Sequence, residues 1–164
     1  MDTKPNIEVK IINAFVDNDK GGNPAGVVFD AGNLTTAQKQ QVAQKAGLSE
    51  TAFVSGSATA DVKLEFFTPT RQIAHCGHAT IATFSYLSQE GLITKALSSK
   101  ETIDGNREIL IRGDLAFMEQ KPPRYTSIEH EKANIISSLG LTVHDLLPGA
   151  PIHIVNTGNA FAII

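Results

Sequence analysis

The chain is short of several things, and each shortage closes off a class of function. It has no unbroken apolar run approaching the roughly 20 residues that a membrane helix needs, so no membrane partner is expected. It has one cysteine, Cys76, and therefore no internal disulfide. A lone thiol points to a reducing, intracellular compartment and to a free sulfhydryl. It has no basic surplus: 14 Lys and Arg stand against 17 Asp and Glu, for a net charge of -3. No Lys/Arg cluster offsets that balance, so a nucleic-acid surface is not expected. The opening residues, MDTKPNIEVKII, lack the basic start, apolar run and small-residue cleavage site of a secretory leader. A cytoplasmic location follows as the expectation.

What remains is the profile of a soluble globular protein, with 41% hydrophobic and 19% charged residues. Its 164 residues suffice for one domain, or for one domain and part of another. The richest stretch is Leu64 to Glu90, LEFFTPTRQIAHCGHATIATFSYLSQE. It reads as a strand at Leu64-Phe67, a polar turn around Pro69 and Arg71, and a helix opened by Cys76-Gly77-His78. Ile81, Phe84 and Leu87 form the expected inner face of that helix, and Gly91 ends it. A glycine at a helix start lets another backbone or a ligand approach. The first N–H groups of the helix have no internal partner and suit a carboxylate or phosphate.

Elsewhere the pattern is that of a mixed α+β chain. Ile7 to Phe15 suits a strand, residues 17 to 24 a turn and loop, and Val27-Val28-Phe29 a short strand. Thr35 or Thr36 caps a helix to about Ala46, with Gly47 as its stop. Strands are expected up to Val54 and over Asp61 to Phe66, joined by a hairpin turn at residues 55 to 60. Leu97 to Asn106 reads as a polar loop with room for a short strand. Glu108 to Arg112 and Leu115 to Gln120 flank Gly113-Asp114 as a hairpin. Pro122-Pro123 marks the best domain boundary. Ser127 caps a helix through Leu139 closed by Gly140, His144 to Leu147 adds a turn, and Ile152 to Val155 and Phe161 to Ile164 are strand-like.

Gly158-Asn159-Ala160-Phe161-Ala162-Ile163-Ile164 echoes Gly22-Asn23-Pro24-Ala25-Gly26-Val27-Val28. Both follow an Ile-rich strand. Chance remains one account; the other is an internal repeat and two similar lobes. The chain stops inside the second copy, which reads either as a tail paired within one domain or as a second lobe cut short.

The chemistry-bearing residues leave alternatives open. Asn23 and Asn159 sit in Gly-Asn pairs that turn geometry alone explains. Glu50, in Ser49-Glu50-Thr51, is an ordinary loop glutamate or, if buried against Ala52-Phe53-Val54, a general base. Cys76 and His78 are a nucleophile and base, a pair of metal ligands, or a buried thiol beside an acid–base histidine at a helix tip. Spacing of i, i+2 on a helix points the two side chains apart, which weakens a dyad. His75, Cys76 and His78 lack a fourth ligand at the usual spacing, so no metal is expected.

These pieces converge on one resemblance. Gly22-Asn23-Pro24-Ala25, then Ser49-Glu50-Thr51-Ala52-Phe53-Val54, then Phe67-Thr68-Pro69 followed by Cys76-Gly77-His78-Ala79-Thr80, resemble the PhzF-like family of isomerases related to phenazine biosynthesis. Ala116-Phe117-Met118-Glu119-Gln120 before Pro122 is similar to the next strand of that family. The resemblance implies a diaminopimelate epimerase-like fold: two pseudo-symmetric lobes, each a curled mixed sheet around a central helix, with the active site between them. It implies residues 1–121 as the first lobe and 122–164 as the truncated start of a second. It implies cofactor-free proton transfer on a small carboxylated metabolite, with Glu50 and His78 catalytic. Gly77 and Ala79 would hold the substrate carboxylate through the helix tip, with Asn23 and Ser49 as further contacts. One cysteine rules out the two-thiol chemistry of the epimerases themselves. Family members are close to twice this length, and their C-terminal Glu-Asp-Pro…Thr-Gly motif has no counterpart here. A homodimer or a complementing C-terminal lobe is then the expected partner. Two rival expectations stand beside this: an inactive dimerising or ligand-binding module, paired through open strand edges, and a Cys–His hydrolase built on Cys76.

Overall fold

A computed structural model describes residues 6–18 and 20–164. The chain forms two compact units, one up to Glu119 and one from Gln120 to Ile164. The first unit is α+β and is built on an eight-stranded mixed sheet. Its strands are β1 (Lys10–Asp17), β2 (Lys20–Val28), β3 (Thr51–Ser55), β4 (Val62–Phe67), β5 (Gln72–Ile73), β6 (Leu97–Glu101), β7 (Arg107–Arg112) and β8 (Leu115–Met118). The order is β1-β2-β3-β4-β6-β7-β8, with the short β5 paired to β4. The β2–β3 and β4–β6 pairs are parallel and the others antiparallel. Each parallel pair is joined by a crossover containing a helix, as parallel strands require. These helices are α1 (Thr36–Ala46) and α2 (Gly77–Gln89).

Helix α2 is the centre of the unit. It touches β1 and β2 near one edge of the sheet and β7 and β8 near the other. A flat sheet cannot bring both edges to one helix, so the sheet curls around it. Burial follows: Ala79, Thr80, Ala82, Thr83, Phe84 and Leu87 are all buried. The single stripe expected from Ile81, Phe84 and Leu87 is thus too narrow, and Ile81 is only half-buried. Two of the extra positions are threonines. Their hydroxyls donate back into the helix, Thr80 Oγ1 to the Cys76 carbonyl at 2.6 Å and Thr83 Oγ1 to the Ala79 carbonyl at 2.7 Å. That leaves their methyl groups for the core.

The sheet is covered on its other face by α1. Ala52 and Val54 of β3 face the α2 cluster, while Phe53 packs with Val28, Ala43 and Phe67 beneath α1. Thr35 and Gln38 close a capping box at the start of α1, and Gly47 ends it in the left-handed conformation. Lys39 is buried and pairs with Glu65 of β4, which pins α1 to the sheet. Gly26 lets β2 and β3 lie close: a Cβ there would fall 2.8 Å from Thr51 Oγ1.

Two expectations are corrected in this unit. The turn expected over residues 17 to 24 is confined to the hairpin tip at Asn18, and Lys20 to Pro24 are strand, not loop. β1 and β2 form one long hairpin, with Asp17 opposite Lys20 and Asn23 opposite Ala14. The breakers are absorbed by the strand: Gly21 and Gly22 take positive φ, and Gly22 lies against the Val16 side chain and the Ala14 carbonyl. Asn23 is therefore in a strand, not a turn; Asp19 lies outside the described residues. The first strand starts at Lys10, later than Ile7. The polar run at residues 97 to 106 does carry the short strand it left room for, β6, whose Ser98 and Lys100 point inward.

The second unit has β9 (Arg124–Ser127), α3 (Lys132–Ser138), β10 (His153–Asn156) and β11 (Ala160–Ile163), with single 3-10 turns at Glu129–Glu131 and Val143–Asp145. Its sheet is antiparallel in the order β11-β10-β9. Ile136 and Ile152 are its buried hydrophobic residues. Ser127 is a strand residue here, paired with His153, so it does not cap a helix. The two echoing Gly-Asn runs take comparable roles. Residues 22–28 lie in the second strand of the hairpin β1–β2, and 160–163 form the second strand of the hairpin β10–β11. Among the described residues no helix is long and apolar enough to cross a membrane.

Candidate active site

The candidate site lies within the first unit, where the start of β3 meets the start of α2. Glu50 is the residue before β3, and its carbonyl accepts the Gly26 N–H at 3.0 Å, tying it to β2. Its side chain is 23% exposed. His78 is the second residue of α2, with its side chain 11% exposed. Their facing atoms, Glu50 Oε2 and His78 Nε2, are 3.5 Å apart. That is an ion-pair distance but long for a hydrogen bond, and the buried Nε2 makes none.

Cys76 completes the cluster. Its sulfur is 3.4 Å from His78 Nδ1. The divergence expected from i, i+2 spacing fails because Cys76 is not helical. It is the N-cap, with φ −145 and ψ 120, and that extended backbone swings the thiol back over the first turn. The sulfur makes no capping hydrogen bond. One side-chain atom each from Glu50, Cys76 and His78 lies within 4.8 Å of the other two.

Burial pushes the Cys76 thiol up to about 11. Nearby N–H groups of Ala79 and His78 and the Lys100 charge pull the other way and do not offset it, while Glu50 adds to the rise. At neutral pH a thiol of that kind is ionised in about one molecule in 10⁴, which is poor for a nucleophile. The contact expected of a Cys–His hydrolase is present, but its ionisation is not.

The remaining expected residues divide by position. Gly77 and Ala79 are the first and third residues of α2, so their N–H groups belong to the uncapped tip. Ala79 has its methyl group buried and can offer only that N–H. A Cβ on Gly77 would meet only the Met118 methyl group at 3.9 Å, so there is room beside the first residue of the helix. Ser49 is exposed in the loop just before Glu50. Asn23 is exposed on β2, three residues before Gly26, which pairs with Thr51 beside Glu50.

Sequence reasoning passed over the support beneath the helix tip. Lys100 of β6 is fully buried, with its ammonium 5.3 Å from the centre of the Phe66 ring. It donates to Thr80 Oγ1 at 2.8 Å, and that hydroxyl donates to the Cys76 carbonyl at 2.6 Å. Burial, with Arg107 adding to it, pulls the lysine from its ordinary 10.5 to about 7; Cys76 and Asp104 oppose the fall. This chain ends on the peptide group that carries the Gly77 N–H, so the lysine polarises the tip from below. The signal was a lysine in an alternating Leu-Ser-Ser-Lys-Glu run, and only the pairing of β6 with β4 and β7 turns it inward.

Comparison with known proteins matches residues 12–164 to the family model PhzC-PhzF, phenazine biosynthesis-like protein. An uncharacterised isomerase of Escherichia coli K12, YddE, is 36% identical over 163 residues, covering 96% of this chain and 55% of that protein. The uncharacterised isomerase YfhB of Bacillus subtilis is 32% identical, with 96% and 55% covered. Among solved structures, a phenazine biosynthesis protein of the PhzF family from Bacillus anthracis superposes with a TM-score of 0.81 at 34% identity, over 95% of this chain and 54% of that one. A hydroxyproline epimerase from Agrobacterium vitis, at 11% identity and a TM-score of 0.60, shares the fold alone. The α+β architecture, a mixed sheet with a helix at its centre, is thus the epimerase-like fold that the motifs implied. The chain spans about half the length of the curated relatives it matches. On the family match and these relatives, the chain belongs to the phenazine biosynthesis-like PhzC-PhzF family.

Proposed function

We propose that this chain carries the base-bearing half of an isomerase that moves a proton between carbon atoms of a small carboxylated metabolite, without a cofactor. Its relatives are named isomerases. The observation that carries the reading is the approach of Glu50 to His78 at an uncapped helix tip, 3.5 Å apart. The substrate carboxylate rests on the N–H groups of residues 77 to 79, where the helix dipole favours an anion. The Glu50 carboxylate takes a proton from the adjacent carbon. The electron pair left behind spreads toward the carboxylate, and the helix tip stabilises that growing charge. His78, within reach of Glu50, orients the carboxyl group and shares its proton before delivery to the second carbon. Asn23 and Ser49 contact the substrate from the strand and loop alongside.

A second acid, supplied by a complementing lobe or a second copy of the chain, serves the opposite side of the substrate. The assay is solvent deuterium incorporation into a dihydroxycyclohexadiene carboxylic acid in D₂O, with the complementing half present. Incorporation is lost in Glu50→Gln and kept in Cys76→Ala. The reverse pattern would transfer the chemistry to the thiol and overturn the proposal.

A further inference from the structure

Proton transfer by Glu50 and His78 leaves Cys76 without a task, although its sulfur touches the His78 ring at 3.4 Å. We propose that Glu50, Cys76 and His78 form a capture site for a borderline-soft divalent metal ion, zinc above all, and that occupying it shuts the base off. Donors and distances alone define the metal site; only the loss of the base rests on the proposed isomerase function. One carboxylate oxygen, one sulfur and one imidazole nitrogen lie within 4.8 Å of one another. Bonds of about 2.0 to 2.3 Å in a tetrahedral zinc site set ligand atoms about 3.3 to 3.8 Å apart. The sulfur–imidazole distance of 3.4 Å and the carboxylate–imidazole distance of 3.5 Å already fall in that range. They involve the two different ring nitrogens, and an imidazole lends a metal only one, so binding draws the three donors in from the 4.8 Å within which they now lie.

The donors are held ready. His78 Nε2 is buried without a hydrogen-bond partner, which leaves a lone pair or a proton uncompensated. Cys76 is fixed at the N-cap, with the two side chains it would share a metal with on adjoining elements. A mixed sulfur, nitrogen and oxygen set favours zinc or cobalt over magnesium or calcium, which prefer all-oxygen shells. Three protein ligands leave a fourth position for water. On binding, the thiol proton leaves to buffer and the sulfur binds as thiolate. The Glu50 carboxylate, once a ligand, is no longer free to accept a proton from carbon.

The test is a titration of the reduced 164-residue chain with Co²⁺, followed by absorption and then by zinc competition. Because Cys76 is the only cysteine in the chain, a thiolate-to-cobalt charge-transfer band assigns the sulfur by itself. The band is expected to saturate at one equivalent. Apparent affinity is expected to fall at least tenfold in both Glu50→Gln and His78→Gln, since losing a partner one shell further out already costs about 10- to 100-fold. His130→Gln, at an exposed site in the second unit, is the control and is expected to bind unchanged. No charge-transfer band, or a band indifferent to both substitutions, overturns the proposal. X-ray absorption of the zinc-loaded unmodified chain guards against variants that misfold. One sulfur at about 2.3 Å beside nitrogen and oxygen near 2.0 Å supports the site, and a sulfur-free shell rejects it.

Discussion

Replacing Lys100 by methionine removes a buried amine while keeping an unbranched apolar stem. In the folded chain this lysine titrates near 7, against 10.5 when free. The difference of about 3.5 units corresponds to about 5 kcal/mol at 1.36 kcal/mol per unit. Below pH 7 the amine is charged in both folded and unfolded states, and the full cost of burying the charge weighs on the fold. Between 7 and 10.5 the unfolded state still binds the proton that the folded state has released, so stability rises with pH. Roughly 2 to 3 kcal/mol of that rise falls between pH 6 and pH 9. The Cys76 thiol runs the other way: its raised value makes stability fall as pH climbs from its ordinary 9.0 toward about 11. Working below pH 9 avoids it, and both proteins keep that thiol. Urea unfolding at pH 6, 7, 8 and 9 is the assay, with the slope for each protein held constant. The unmodified chain is expected to gain roughly 2 to 3 kcal/mol more than Lys100→Met across that range. Parallel profiles would refute the buried, uncharged amine, and with it the link through Thr80 to the helix tip.

Three further outcomes are expected. Gly26→Ala puts a methyl group 2.8 Å from Thr51 Oγ1 and is expected to cost about 1 to 3 kcal/mol as an overpacked site, read as a lower urea midpoint. Thr35→Ala opens the capping box of α1 and is expected to cost about 1 kcal/mol, while a substitution at the exposed Gln44 costs little in the same assay. Ultraviolet thiolate absorbance should rise only as pH approaches about 11, and iodoacetamide should label Cys76 far more slowly than a free cysteine at pH 8. Fast labelling at that pH would contradict the buried, neutral thiol and revive the hydrolase reading.

What the sequence disclosed depended on whether local chemistry and final structure agreed. At α1 they agree: Thr35 and Gln38 cap it, Gly47 stops it, and both signals are within a few residues of their effect. At α2 the tip was legible from Cys76-Gly77-His78, because a non-helical cap followed by a small residue starts a helix without outside help. At β1–β2 they conflict. Gly21, Gly22 and Pro24 read as breakers, but pairing with β1 carries the strand through them. At β9 they conflict again, since a polar run becomes a strand through β10, far along the chain.

The site followed the same division. Glu50 and His78 are 28 positions apart, and no local pattern joins them; the motif order did. The Cys76–His78 contact was misjudged because a rule for helical side chains was applied to a residue whose backbone is extended. Lys100 was invisible because its burial is a property of the curled sheet and not of its own stretch.

The central claim is that the α2 tip, with Glu50 beside it, receives the substrate carboxylate. Amide NMR of the Glu50→Gln chain, titrated with a cyclohexadiene carboxylic acid that it binds but does not turn over, tests this most directly. The N–H signals of Gly77, His78 and Ala79 are expected to move furthest and to saturate together, with the shifts lost when the acid is replaced by its methyl ester. Saturating shifts confined to other residues, with those three unmoved, would contradict the account.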